Sequence, residues 1–184
     1  MGNRLSKIVT RTGDNGSTAM ADGTRLPKSD IRVHCLGEVD ELNAHIGLAA
    51  SYLALPTGQQ ILLQVQHDLF DLGAELCQPG KHIIRSAHID FLDQQAQFIN
   101  SELAPLKEFI LPGGSPQLGH LHVARTVCRR AERNLVALHE QQPGNPLSLA
   151  YLNRLSDVLF ILPRYVARQA GLEEVYWQSA FSRG

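Results

Sequence analysis

The chain has 184 residues, of which 43% are hydrophobic and 19% charged, and its formal net charge is −1. This composition is typical of a globular protein with one sizeable core, and the near-neutral charge excludes a general attraction to nucleic acid or anionic membranes. No apolar run is long enough to span a bilayer, and the first residues lack the apolar core of a signal peptide. We therefore expect a cytoplasmic protein with neither a membrane nor a nucleic-acid partner.

The first distinctive segment is TRTGDNGST, residues 10–18, which is rich in glycine and hydroxyl side chains. Gly13 and Gly16 allow backbone N–H groups to converge and the hydroxyl groups add donors, so the segment suits a phosphate-binding loop. Lys28 follows ten residues later as a candidate positive charge. The segment lacks the spacing of a Walker A motif, and its composition by itself favours a plain turn with Asp-Asn-Gly at the tip.

Five stretches with the apolar periodicity of helices follow this segment. Their apolar stripes, in chain order, are Val33–Leu53, Leu62–Leu76, Ile89–Leu103, Leu121–Leu138 and Leu149–Val166, and the fifth helix runs from Pro146 to near Gly171. Ser86 and Asn145 are the predicted N-caps of the third and fifth helices, and Pro79 ends the second. Pro163 lies inside the fifth helix, where we expect it to kink the helix or mark a local break.

The short links between these helices predict one all-α domain, a five-helix up-down bundle, over residues 1–184. An N-terminal loop segment covers residues 1–30, the helical bundle covers residues 31–171, and a tail covers residues 172–184. No internal repeat or linker indicates a second domain.

The fourth helix carries an arginine stripe, Arg125, Arg129 and Arg133, spaced four residues apart along one face. Like charges at this spacing repel each other by a few tenths of a kcal/mol per pair, and Glu132 and Asp157 are candidates to relieve that repulsion. The stripe is either a solvated basic face or a polyphosphate site. Its position directly after the glycine-containing FILPGGSP link, in a chain of balanced charge, favours the polyphosphate site.

Asn153 lies one turn before Asp157 on an otherwise apolar part of the fifth helix. The pair is compatible with two roles. It either bridges neighbouring helices or supplies an amide to a ligand, and the residues by themselves favour neither role.

Metal chemistry has little support in the sequence. Acidic residues in GEVDELN, residues 37–43, raise the possibility of a di-iron bundle, but such bundles need Glu-x-x-His motifs and the chain has none. The spacing from Glu41 to His45 is one residue too long. The three cysteines are widely spaced without a CxxC pair, which predicts reduced thiols and no zinc site.

Six segments occur together in an order that resembles the PduO-type ATP:cob(I)alamin adenosyltransferases: TRTGDNGST, LPKSDIRV, GEVDELN, FILPGGS, ARTVCRRAERNL and YLNRLSDVLF. Each segment is a weak signal alone, but six in register over nearly the whole chain are specific. The resemblance implies a homotrimer of five-helix bundles with each active site at a subunit interface. It also implies transfer of the 5′-deoxyadenosyl group of ATP to the cobalt of cob(I)alamin or a related corrinoid, with release of triphosphate.

The same resemblance implies roles for individual residues. ATP-binding positions are Thr10, Arg11, Thr12, Gly13, Gly16, Thr18, Ala19, Lys28, Arg129, Arg130, Glu132, Arg133 and Asn153. Asp30 corresponds to the acidic residue that pairs across the interface with Arg129. Phe109 corresponds to the aromatic residue that crowds the lower face of the corrin. The residues expected to act in catalysis are Arg129, Arg133, Asn153 and Phe109.

The resemblance further implies Mg²⁺ travelling with the triphosphate, a cobalamin reductase, and an adenosylcobalamin-dependent enzyme as partners. The competing class is a non-catalytic ATP- and corrinoid-binding sensor or carrier. The chain departs from the family at Leu162-Pro163-Arg164-Tyr165, where the family reads LARY. Its tail is also short, so the resemblance does not decide whether a C-terminal segment closes the corrinoid site.

Overall fold

The computed structural model describes residues 8–179 and consists of five α-helices and one β-hairpin. The helices are α1 Ile31–Tyr52, α2 Pro56–Leu76, α3 Ser86–Ser101, α4 Pro116–Gln141 and α5 Pro146–Gln169. The all-α five-helix prediction is therefore confirmed. The predicted segments at residues 1–30 and 172–184 extend beyond the described part of the chain at residues 1–7 and 180–184.

Apolar side chains from all five helices form one core, in which α1 packs against α2 and α4, and α5 packs against α3 and α4. Most of the predicted apolar positions supply this core because residues three and four apart share one helix face. Val33 is an exception, because it is only partly buried and lies outside the core. None of the helices within residues 8–179 is long and apolar enough to cross a membrane. Cys35, Cys77 and Cys128 are free thiols, and burial raises the pKa of Cys35 to about 11.

The last helix continues through Pro163 without a break. Proline removes one backbone hydrogen bond from a helix interior. The local break that the sequence allowed is absent here because every residue from Ile161 to Ala167 is buried, so tertiary packing holds this part of α5.

Most helix starts follow their local sequence. Asn145 caps α5 through its side chain, which accepts a hydrogen bond from the Leu147 N–H, as predicted. The prediction for α3 is wrong by one residue, because Arg85 is the N-cap and Ser86 is the first helical residue. The ring nitrogen Nδ1 of His88 accepts a hydrogen bond from the Arg85 N–H at 3.1 Å, so a histidine supports this helix start.

The N-terminal hairpin lies at one end of the bundle. Strands β1 Ser17–Ala19 and β2 Arg25–Pro27 are antiparallel, and the Ala21 N–H donates to the Cys77 carbonyl just after α2. Arg32 donates to the carbonyl of Leu76 at 3.2 Å and to the side chain of Gln142 at 2.7 Å. The start of α1 and the ends of α2 and α4 therefore meet beside the hairpin.

The tail occupies the opposite end of the bundle. After α5 it turns back and runs antiparallel to the link that precedes α4, through a bridge between Ile110 and Tyr176. The Leu111 N–H donates to the Val175 carbonyl at 2.8 Å. Backbone hydrogen bonds thus fix the tail against the FILPGGSP link.

Candidate functional site

The loop at residues 10–16 is an ordered structure built by its own polar groups. Arg11 has a positive φ of 59°, a conformation that L-residues rarely adopt. The Asn15 side-chain oxygen accepts hydrogen bonds from the Ser17 N–H at 3.2 Å and the Ser17 hydroxyl at 2.8 Å. The plain turn that composition favoured is thus one part of a longer loop that leads into the hairpin.

Arg25 closes this loop, and the sequence reasoning missed it. Its Nη2 donates to the Thr12 carbonyl at 2.6 Å, to the Ser17 carbonyl at 3.1 Å and to the Ser17 hydroxyl at 2.7 Å. The guanidinium therefore joins the two ends of the loop. The Asp22–Gly23 pair is a recognised hairpin signal and would have placed Arg25 on the strand that pairs with β1, where it faces Ala19.

Lys28, the candidate positive charge, lies against the loop. Its N–H donates to the Gly16 carbonyl at 2.8 Å. A Cβ added to Gly13 would lie 3.3 Å from the Lys28 ammonium nitrogen, so the charge sits directly over the glycine backbone. Thr18 and Ala19 belong to β1, where Thr18 pairs with Leu26. A positive charge above a glycine-rich backbone is an arrangement that suits a phosphate group.

A second group of predicted residues lies on the outer face of α4 and α5. Arg129 and Arg133 are both exposed, and the Arg133 Nη1 donates to the Arg129 carbonyl at 3.1 Å. Within residues 8–179 neither arginine forms an ion pair with a carboxylate. These two guanidinium groups therefore present uncompensated positive charge.

The carboxylates expected to relieve the arginine stripe have other partners. Glu132 accepts a hydrogen bond from the Asn153 amide at 3.0 Å, and Asp157 lies 3.8 Å from Arg154. Neither carboxylate therefore forms an ion pair with the arginine stripe within residues 8–179, and relief of the repulsion at longer range stays a prediction. Asn153 bridges α4 and α5 through Glu132, which settles one of its two open roles without excluding an amide contact to a ligand.

Arg130 differs from its neighbours because it is paired inside the chain. Its guanidinium donates to Glu38 and Glu41 on α1. These hydrogen bonds raise the pKa of Arg130, and the bond from Arg130 lowers the pKa of Glu41. The acidic segment of α1 thus holds α4, and ATP binding by Arg130 stays a prediction.

Arg125 is the partly buried member of the stripe. Its guanidinium carbon lies 5.9 Å from the centre of the Phe160 ring, and its buried Nε has no hydrogen-bond partner among the described residues. Burial lowers the pKa of Arg125, and the positive charge of Arg129 lowers it further.

Phe109 forms an apolar surface in the link before α4. Its side chain is 69% exposed, which is high for a large hydrophobic residue. Together with Phe160, Leu106, Lys107 and Glu108 it lines an open depression of about 320 Å³. An exposed aromatic beside a depression suits contact with a flat apolar ligand face.

The predicted residues form three separate groups within one chain. Helix α4 has 26 residues and is about 39 Å long at 1.5 Å per residue, so roughly 18 Å of helix separates Arg129 from either end. The hairpin is anchored at the end where α4 finishes, and Phe109 precedes the other end. No hydrogen bond or ion pair in the described part of the chain joins the loop to α4 or α5.

Asp30 has an intramolecular role that the sequence reasoning did not assign. Its carboxylate caps α1 by accepting from the Arg32 N–H at 2.8 Å. Pairing of Asp30 with Arg129 of another subunit stays a prediction. Among the described residues no group of three or more His, Cys, Asp or Glu side chains is placed to hold a metal ion.

The fold and these groups define a helical bundle with an ordered glycine- and hydroxyl-rich loop, uncompensated arginines and an exposed aromatic wall. The family model described as cobalamin adenosyltransferase matches residues 8–166. A cobalamin adenosyltransferase from Cupriavidus metallidurans is 50% identical over 179 residues, covering 97% of each chain. A corrinoid adenosyltransferase from Mycobacterium tuberculosis is 45% identical over 190 residues, covering 97% of this chain and 96% of its own. The chain therefore belongs to the cobalamin adenosyltransferase family and is a transferase.

Solved structures show the same fold. A variant PduO-type ATP:corrinoid adenosyltransferase from Lactobacillus reuteri, complexed with cobalamin and ATP, has a TM-score of 0.88 and 33% identity, covering 94% of this chain and 100% of its own. A second Lactobacillus reuteri variant, complexed with ATP, has a TM-score of 0.87 and 34% identity, covering 93% of this chain and 100% of its own. The PduO-type resemblance of the sequence is confirmed.

Proposed function

We propose that this chain transfers the 5′-deoxyadenosyl group of ATP to the cobalt of cob(I)alamin or a related corrinoid and releases triphosphate. The observation that carries the proposal is the pair of uncompensated guanidinium groups, Arg129 and Arg133, beside Asn153. A polyphosphate leaving group gains negative charge as its bond to carbon breaks, and fixed positive charges stabilise that charge. The two adenosyltransferase relatives match this chain over almost their full length.

The reaction is a substitution at C5′ of the ATP ribose. Co(I) supplies an electron pair to C5′, a cobalt–carbon bond forms, and the C5′–O bond breaks with its electrons leaving on triphosphate. No proton moves in this step, so the protein needs no general base. Its tasks are to align the two substrates and to stabilise the leaving triphosphate. Lysine, arginine and backbone N–H groups are suited to the second task.

The active site is formed between subunits of a homotrimer. The length of α4 supports this proposal, because the loop is anchored at one end and Arg129 lies about 18 Å along the helix from that end. A neighbouring subunit that places its loop and Lys28 over Arg129 and Arg133 would surround one triphosphate with all of these groups. Asp30 would pair with Arg129 across the same interface.

Phe109 is proposed to contact the lower face of the corrin. The exposed ring and the adjoining depression support this role, because an apolar wall keeps a polar lower ligand away from cobalt. Loss of that ligand makes cobalt easier to reduce. Mg²⁺ enters bound to the triphosphate of the ATP substrate, since phosphate oxygens are ligands that it prefers. A reductase, an adenosylcobalamin-dependent acceptor and a cytoplasmic location complete the proposal.

The proposal is tested by incubating the full chain with ATP, Mg²⁺ and chemically reduced cobalamin. We expect the absorbance of an alkyl-cobalt product to appear together with one triphosphate per product. Binding of both substrates without triphosphate release would instead identify a carrier or sensor. The trimer is tested separately, by measuring the molar mass in solution by light scattering. Mixing Asp30→Ala with Arg129→Ala chains tests the proposed pairing of Asp30 with Arg129 across the interface.

A further inference from the structure

The tail lies directly against the backbone of Phe109. The Trp177 N–H donates to the Phe109 carbonyl at 2.7 Å, and two residues along the link the Leu111 N–H donates to the Val175 carbonyl. These two hydrogen bonds fix the orientation of the backbone that carries the exposed ring. The position of Phe109 therefore depends on the position of the tail.

The tail is in turn held by one buried arginine. The Arg164 Nε donates to Glu174 Oε1 at 2.8 Å, and its Nη2 donates to the Ala104 carbonyl at 3.1 Å. The Arg164 side chain is 7% exposed and the Glu174 side chain is 20% exposed. The guanidinium thus connects α5, the link after α3, and the tail.

Removing one partner of a well-buried ion pair destabilises the folded state. Neutralising the carboxylate would leave the Arg164 charge buried without its counter-charge, which is costly. Glu174 and Val175 of the tail also line a small cavity of about 30 Å³, large enough for one water molecule. His122 lines the same cavity, and its buried Nδ1 has no hydrogen-bond partner among the described residues.

We propose that Arg164 and Glu174 are positioning residues for adenosyl transfer, because their ion pair pins the tail that orients Phe109. This inference rests on the proposed contact between Phe109 and the corrin. It assigns no contact with either substrate to Arg164 or Glu174. The ion pair acts through two backbone hydrogen bonds, and its effect is confined to the corrin end of the bundle.

The experiment compares Glu174→Gln with Glu173→Gln in the full chain. Glu173 is the matched control, because it is exposed and forms no ion pair or hydrogen bond among residues 8–179. Trp177 is the single tryptophan of the chain, so its fluorescence reports on the tail. We expect Glu174→Gln alone to shift the Trp177 emission towards that of a solvated indole.

The same variant should reduce kcat by about tenfold to a hundredfold, because small misplacements of a positioning group have effects of this size. The KM for ATP should stay within about twofold of wild type, since the loop and arginines lie elsewhere. Glu174→Asp, which keeps the charge, should recover part of kcat. Thermal unfolding followed by circular dichroism confirms that each variant is folded.

Three results would overturn the inference. One is a shifted Trp177 emission with kcat equal to that of Glu173→Gln, because the tail would then not orient Phe109. Another is an unchanged emission, because the ion pair would then not hold the tail. The third is an equal loss in ATP binding. Failure of the proposed function would instead leave the unsubstituted chain without adenosyl transfer. Failure of the proposed corrin contact would leave Phe109→Ala, measured alongside, as active as the unsubstituted chain.

Discussion

Replacing Arg129 with alanine should reduce activity while leaving the fold as stable as before or slightly more stable. Charge-assisted hydrogen bonds contribute about 1.5–3 kcal/mol, which corresponds to a roughly tenfold to hundredfold loss of turnover for one guanidinium on the leaving triphosphate. Arg129 is exposed and has no carboxylate partner within residues 8–179, so its removal breaks no ion pair there. The substitution also removes repulsion from Arg125, whose pKa is lowered by burial and further by the Arg129 charge.

The assay pairs turnover at saturating ATP with urea unfolding of the same preparations. Repulsion between like charges one turn apart is a few tenths of a kcal/mol, so Arg129→Ala should unfold within about 0.5 kcal/mol of wild type, on the stable side. Arg168→Ala is the control, because Arg168 is an exposed arginine on α5 that lies 3.8 Å from Glu102. Near-wild-type turnover of Arg129→Ala would refute the assigned role. A loss of more than about 1 kcal/mol of stability would show that Arg129 has a partner outside its own chain, as the proposed pairing with Asp30 of a neighbouring subunit requires.

Phe109→Ala should lower kcat and raise the KM for cobalamin while ATP affinity, measured by calorimetry, stays unchanged, because the ring lies at the opposite end of the bundle from the loop; an equal loss of ATP affinity would contradict the corrin contact. Arg25→Ala should raise the KM for ATP by about tenfold with a smaller effect on kcat, since the loop loses the side chain that joins its ends. An unchanged KM for ATP would show that the loop keeps its shape without Arg25. Burial, with a contribution from Arg125, lowers the pKa of His122. The unfolded chain therefore takes up a proton at higher pH than the folded chain, and the free energy of unfolding should fall as pH drops from about 7 through the unfolded pKa of about 6.5. Urea titrations at several pH values should show a shallower fall in His122→Gln, with the remainder including His139, whose pKa burial also lowers; identical slopes would exclude His122 as a source.

The helices could be located from the sequence because their signals are local. Apolar spacing marks which residues share a helix face, and Asn145 caps its helix through a bond to a residue two positions away. The prediction of Ser86 as the N-cap of α3 is wrong because it considered only the hydroxyl group of Ser86. A histidine three residues along accepts the Arg85 N–H, and hydroxyl chemistry alone does not anticipate that contact.

The sequence predicted which residues belong to the candidate site but not how they are arranged. TRTGDNGST and the arginine stripe mark the residues, but composition did not distinguish a turn from a phosphate loop. Arg25 fixes the shape of the loop, and it reaches the loop only because the hairpin pairs β1 with β2. Phosphate binding by the loop stays a prediction. The amide of Asn153 similarly acquires a defined partner only when α4 and α5 pack together.

The sequence by itself determined the helical class, the helix positions, the loop chemistry and the motifs that identify the family, because all of these are properties of residues close together in the chain. Tertiary structure alone decided which charges are free. Arg129 and Arg130 are neighbours in sequence, yet only Arg130 lies against the carboxylates of α1. It also decided that Arg164 holds the tail against the link carrying Phe109. These contacts join residues distant in sequence, and only packing of the helices brings such residues together.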